Sequence, residues 1–182
     1  MQTTASQPDP TGPRGRWIGR LRPTGHPTVL LGTPAPTGDQ DPGLVAAVAA
    51  AIPAVARAVE ALLGEPVRRT LVVLADRRTF AVLYAGSRTR ALFAAPLRAL
   101  RLRWACAYAL DLDDHVLIVL LAPALRAGGL CNIDITLGHE LVHAIQFRRP
   151  LDQRAARGRA AEEGEAQDAE PVLARALGHR NT

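Results

Sequence analysis

The sequence contains no lysine; all 22 of its cationic side chains are arginine. Aromatic residues make up only 4% of it, so a core has to be built from Leu, Val, Ile and Ala. The arginines are scattered, and few aromatics lie between them. The net charge of +5 and the pI near 10.4 therefore do not outline a nucleic-acid surface, which needs clustered cations and stacking platforms. Only two cysteines occur, Cys106 and Cys131, too few for the disulfide framework of a small secreted scaffold, and they read as two buried thiols. No basic segment followed by an apolar run opens the chain, so no secretory signal is recognised. The longest apolar stretch, Leu44 to Ala56, is Ala-rich, is interrupted by Pro53 and falls short of the roughly 20 residues a membrane span needs. Together these absences predict a soluble cytoplasmic protein with neither nucleic-acid nor membrane partners.

What is present is one domain's worth of chain: 182 residues, 48% of them apolar. Residues 1–43 are rich in Pro, Gly and Thr and read as a disordered or loosely docked arm, with Thr28 to Leu31 able to add one short strand. Residues 44–182 form the folded domain. Val48, Ile52, Val55, Val59 and Leu62 recur at helical spacing up to Gly64, a natural helix stop. Thr70 to Leu74 and Val116 to Leu121 are short apolar runs suited to buried strands. Trp104 to Leu110 reads as a further strand, joined to the second run by an acidic turn. Arg77 to Tyr84 suits a short helix. Ala127 to Asp134, with Gly128-Gly129, reads as a loop. A helix follows from about Ile135 to Phe147, with Asp134 placed to cap it. A last helix runs from about Arg154 to Ala169, and Pro171 is expected to open a separate turn. The expected fold class is α+β, a mixed sheet of three to four strands packed on these helices.

Chemistry concentrates in Gly138-His139-Glu140-Leu141-Val142-His143. Two histidines four apart on a helix lie on one face, about one turn from each other, and both imidazoles can reach a single ion. Glu140 stands one step round, able to reach a water on that ion. Leu137, Leu141, Ala144 and Ile145 occupy the opposite side, so the helix can bury them while its histidines face a cleft. A catalytic zinc takes three protein ligands and leaves one position open. No further histidine follows until His179, and the extended motif with a third histidine is absent.

Downstream lies Glu162-Glu163-Gly164-Glu165-Ala166. In this the chain resembles the gluzincin peptidases, in which a second helix donates a glutamate about twenty residues after the second histidine, often within E-G-x-A. Glu163 stands at that spacing from His143. The resemblance covers roughly residues 116–168. It implies a zincin-like fold and one Zn²⁺ held by His139, His143 and Glu163. It further implies Glu140 as the base that activates a water for hydrolysis of a peptide or protein substrate. Glu162 is the alternative ligand, the acidic cluster could instead be a solvated helix face, and Cys131 lies near enough in sequence to be weighed as a ligand. Asp168 and Gln167 are candidates to orient the imidazoles. His115, His179, Tyr84 and Tyr108 are candidates for the oxyanion-stabilising group, none with a supporting motif. The resemblance also casts Val116 to Leu121 as the strand beside the cleft, where a plain internal strand is the alternative, and residues 127–132 as its rim. A zinc-binding domain without turnover, serving as a regulator or partner-binding module, is the competing expectation.

Overall fold

The computed structural model describes residues 18–34, 41–86, 106–112, 114–127 and 132–179. One mixed sheet organises them. Its strands are β1 (Ile18–Pro23), β2 (Val29–Pro34), β3 (Thr70–Ala75), β4 (Ala107–Asp111) and β5 (Val116–Leu121), arranged in the order β1-β2-β3-β5-β4. The central three, β2, β3 and β5, run parallel, and antiparallel β1 and β4 form the two edges. The helices are α1 (Pro42–Leu63), α2 (Arg77–Gly86), α3 (Ala122–Ala127), α4 (Ile133–Gln146), α5 (Leu151–Arg157) and α6 (Arg159–Ala176).

Both faces of the sheet are covered, which explains the unbroken apolar runs of β3 and β5. Every residue of both strands is buried, as strands sandwiched between two layers require. On one face Val72, Leu74, Ile118 and Leu120 pack against α1, α4 and α6 through Val55, Leu137, Leu141 and Leu173. On the other, Leu71, Val73, Leu117 and Val119 meet Phe80 and Leu83 of α2. One helix among the described residues, α1, is long and apolar enough to cross a membrane. Seven of its residues are buried in the domain core.

The coarse α+β expectation holds, and three details are corrected. The sheet has five strands, not three to four. The additional strand pair lies within the supposed arm, where Ile18–Pro23 and Val29–Pro34 form a hairpin docked on β3. β2 covers most of the short strand expected at Thr28 to Leu31; β1 was hidden by proline density, although Pro23 and Pro34 sit only at strand ends, where the missing N–H is tolerated. The cap of α4 is Asn132, whose side chain accepts from the Asp134 and Ile135 N–H groups; Asp134 instead pairs with His179, 2.7 Å away. Pro171 does not open a new helix. Instead α6 runs through it, and the carbonyl left without a donor belongs to exposed Gln167, where water can reach it. The sequence segments 1–17, 87–105 and 128–131 lie outside the described residues, and with them Cys131 and the Gly128-Gly129 rim.

Candidate metal centre

Helix α4 delivers the two histidines because its opposite face is locked in the core. Leu137 and Leu141 are fully buried, with Ala144 and Ile145 nearly so, as the periodicity requires. Gly138 has a distinct role. A methyl group there would come within 2.7 Å of Leu173 Cδ1, so its bare backbone lets α6 press close to α4. Helix α6 thereby brings Glu163 over the histidines.

The three proposed ligands meet. His139 Nε2 and His143 Nε2 are 3.2 Å apart. Glu163 Oε1 lies 3.5 Å from His139 Nε2, and Glu163 Oε2 lies 3.4 Å from His143 Nε2. Bonds of about 2.0–2.1 Å at tetrahedral angles put ligand atoms about 3.3–3.4 Å from each other. Each imidazole Nε2 meets one of the two Glu163 oxygens at about that distance, and one ligand atom from each of the three residues lies within 4.8 Å of the others.

The hydrogen-bond partners fix which imidazole nitrogens face inward. His139 Nδ1 contacts Glu170 Oε1 at 2.8 Å, and His143 Nδ1 contacts Gln146 Oε1 at 2.7 Å. The orientation of the Gln146 amide is set from its other end, where Nε2 donates to the Glu162 carbonyl and to Glu165. Both acceptors therefore call for a proton on Nδ1, which in a neutral imidazole leaves a lone pair on Nε2. Burial holds the His143 pKa below its ordinary value and so favours the neutral ring. Two lone pairs and a carboxylate thus converge with nothing but mutual repulsion between them, an arrangement that a divalent cation would stabilise. Among the described residues, this is the one group of three or more His, Cys, Asp or Glu side chains suited to holding a metal.

Glu140 lies beside this triangle, 7% exposed. Its Oε2 is buried and has no hydrogen-bond partner. Burial, with a smaller contribution from the charge of Glu163, pushes its carboxyl up to about 8. Glu140 lines the same cleft as the three candidate ligands, which places its carboxyl beside a water held there. That cleft has a volume of about 510 Å³ and is bounded by β4 and α4 together with the start of α6.

Several expectations about supporting residues change. Neither Gln167 nor Asp168 orients an imidazole. Gln167 donates instead to Glu163 Oε1 at 3.2 Å, and Asp168 is exposed. The orienting groups are Glu170 and Gln146. Gln146 could have been anticipated, because it sits three positions after His143 on one helix face. Glu170 could not, because its contact depends on the crossing of α4 and α6. Glu162 is not in the triangle; it pairs with Arg154 at 3.1 Å. Three of the four oxyanion candidates are engaged elsewhere. Tyr108 donates its hydroxyl to the Phe80 carbonyl on the α2 side of the sheet. His115 is paired with Asp114 and His179 with Asp134. The Tyr84 side chain lies outside the described atoms. The cleft strand is β4, the sheet edge, while Val116 to Leu121 is internal between β3 and β4. Cys106 is disulfide-bonded, which corrects its reading as a buried thiol.

Glu170→Ala is expected to weaken zinc binding by about 10- to 100-fold, because a ligand histidine loses the partner that fixes its tautomer. Competition with a chromophoric chelator measures this directly.

Compared with family models, with curated proteins and with solved structures, the chain matches none.

Proposed function

We propose that the chain is a zinc-dependent peptidase of the gluzincin type with a minimal zincin-like fold, in which His139, His143 and Glu163 hold one Zn²⁺. The observation that carries this reading is the convergence of two inward-facing imidazole nitrogens, 3.2 Å apart, with the Glu163 carboxylate, whose two oxygens approach them at 3.5 and 3.4 Å, beside the unpartnered buried carboxyl of Glu140. Two imidazoles and a carboxylate are donors that suit zinc. Zinc held there would polarise a peptide carbonyl and lower the pKa of a bound water.

The chain's own residues supply the rest. Glu140, whose ionised form the charge of a bound cation would favour, accepts the proton of the attacking water and returns it to the leaving amine. Glu170 and Gln146 keep both imidazole lone pairs turned inward. The outer edge of β4 offers the backbone of an extended peptide a strand to pair with. Ala107 and Ala109, on the side of β4 facing α4, are small enough to leave space beneath it. A disulfide at Cys106 weighs against residence in a reducing cytoplasm, where thiols are kept reduced.

The test is removal and return of the metal. Protein stripped by a chelator should cleave no labelled casein or peptide, and one equivalent of zinc should restore cleavage. A second reading, a zinc-binding domain that serves a partner without turnover, draws on one observation: Tyr108, His115 and His179 are all engaged elsewhere and none presents a free hydroxyl or imidazole to the cleft. Stoichiometric zinc binding with no cleavage of any peptide would favour it.

A further inference from the structure

Two guanidinium groups line the cleft, Arg154 and Arg159, and they are not equivalent. Arg154 is committed to the fold. Its Nε lies 3.1 Å from Glu162, its Nη1 lies 3.6 Å from Asp111, and it stacks 5.0 Å from the centroid of the Phe147 ring. Arg159, the exposed first residue of α6, makes no ion pair or hydrogen bond among the described residues.

That lack of a partner is informative because two carboxylates stand at the spacing where a helix normally pairs charges. Glu162 and Glu163 are three and four positions beyond Arg159. Glu162 is engaged by Arg154, and Glu163 is turned toward the imidazole Nε2 atoms and accepts from Gln167. Arg159 therefore carries an uncompensated positive charge at the cleft, on the same face of α6 as Glu163 and about 6 Å along the axis from it. A guanidinium presents a planar fork of donors that fits a carboxylate at two points.

We propose that Arg159 is the specificity-determining residue of this cleft, pairing with a carboxylate of the bound peptide, either an acidic side chain or the free chain terminus. The inference rests on the peptidase reading above for the nature of the ligand, and it is tested by binding, independently of turnover.

The probes are fluorescein-labelled decapeptides of Ala, Gly and Leu with one Glu walked along the chain, their Gln counterparts, and each with a free or an amidated C-terminus. Binding to zinc-loaded Glu140→Gln protein is read by anisotropy. At one Glu position, or at the free terminus, the carboxylate peptide is expected to bind about fivefold more tightly than its neutral partner. Arg159→Gln should erase that difference, and Arg159→Glu should reverse it. A Glu-over-Gln preference identifies an acidic side chain as the source, whereas an acid-over-amide preference identifies the terminus. No binding, no preference, or a preference that survives Arg159→Gln would each overturn the assignment. Cleavage of the same peptides by the parent protein is scored separately. A preference dependent on Arg159 without any cleavage keeps this assignment and rejects the peptidase reading.

Discussion

Glu140→Gln is expected to retain its zinc and to lose hydrolysis by a factor of about 10²–10⁴, the range a general base contributes. The substitution is nearly isosteric, and Glu140 is not among the three converging ligand atoms, so metal content should be unchanged. The catalytic loss follows from chemistry, since an amide at that position cannot accept the proton of the attacking water. Zinc content and initial rates on one preparation measure both halves. Loss of zinc together with activity would mean that Glu140 supports the site rather than acting in it.

The same residue leaves a mark on the stability of the metal-free protein. Its carboxyl is raised from an ordinary 4.5 to about 8. Between those values the folded state keeps a proton that the unfolded chain has released. Its contribution to stability is therefore fully present below about pH 4.5 and is lost as pH rises through about 8. Urea denaturation of metal-free protein across that window should show a decline that is shallower in Glu140→Gln, by on the order of a few kcal/mol over the window.

Glu163→Gln carries the second large effect. It should weaken zinc binding by more than about 100-fold, beyond what losing an outer partner such as Glu170 produces. The fold should survive, because the Glu163 side chain is about half exposed, at 48%, and no helix depends on its packing. Equilibrium dialysis against zinc, paired with circular dichroism, separates the two consequences. Glu162→Gln is the matched control. Glu162 pairs with Arg154 instead of facing the imidazoles, so zinc binding should change little.

The contrast between these neighbours shows how far the sequence could be read. The proposed ligands His139 and His143 and the proposed base Glu140 follow from spacing on one helix whose apolar face is unmistakable. The choice of Glu163 over Glu162 came from a family resemblance, and the close approach of α6 at Gly138 is what gives that choice its geometry. Residues that act across elements were not legible. Glu170 reaches His139 only because two helices cross there, and no local pattern encodes such a crossing. The cleft strand was misplaced for a related reason. Val116 to Leu121 carries the strongest strand signal because it is buried on both faces, whereas the edge strand β4 is only half-buried and carries a weaker one. In the β1–β2 hairpin the second strand was legible at Thr28 to Leu31, and the first was masked by prolines that turn out to lie at strand ends.

Anomalous diffraction at the zinc edge from crystals grown with one equivalent of the metal addresses the centre most directly. The account predicts a single strong peak within about 2.0–2.2 Å of His139 Nε2, His143 Nε2 and a Glu163 carboxylate oxygen. A peak elsewhere, or no peak while Glu163 turns to solvent, would contradict it.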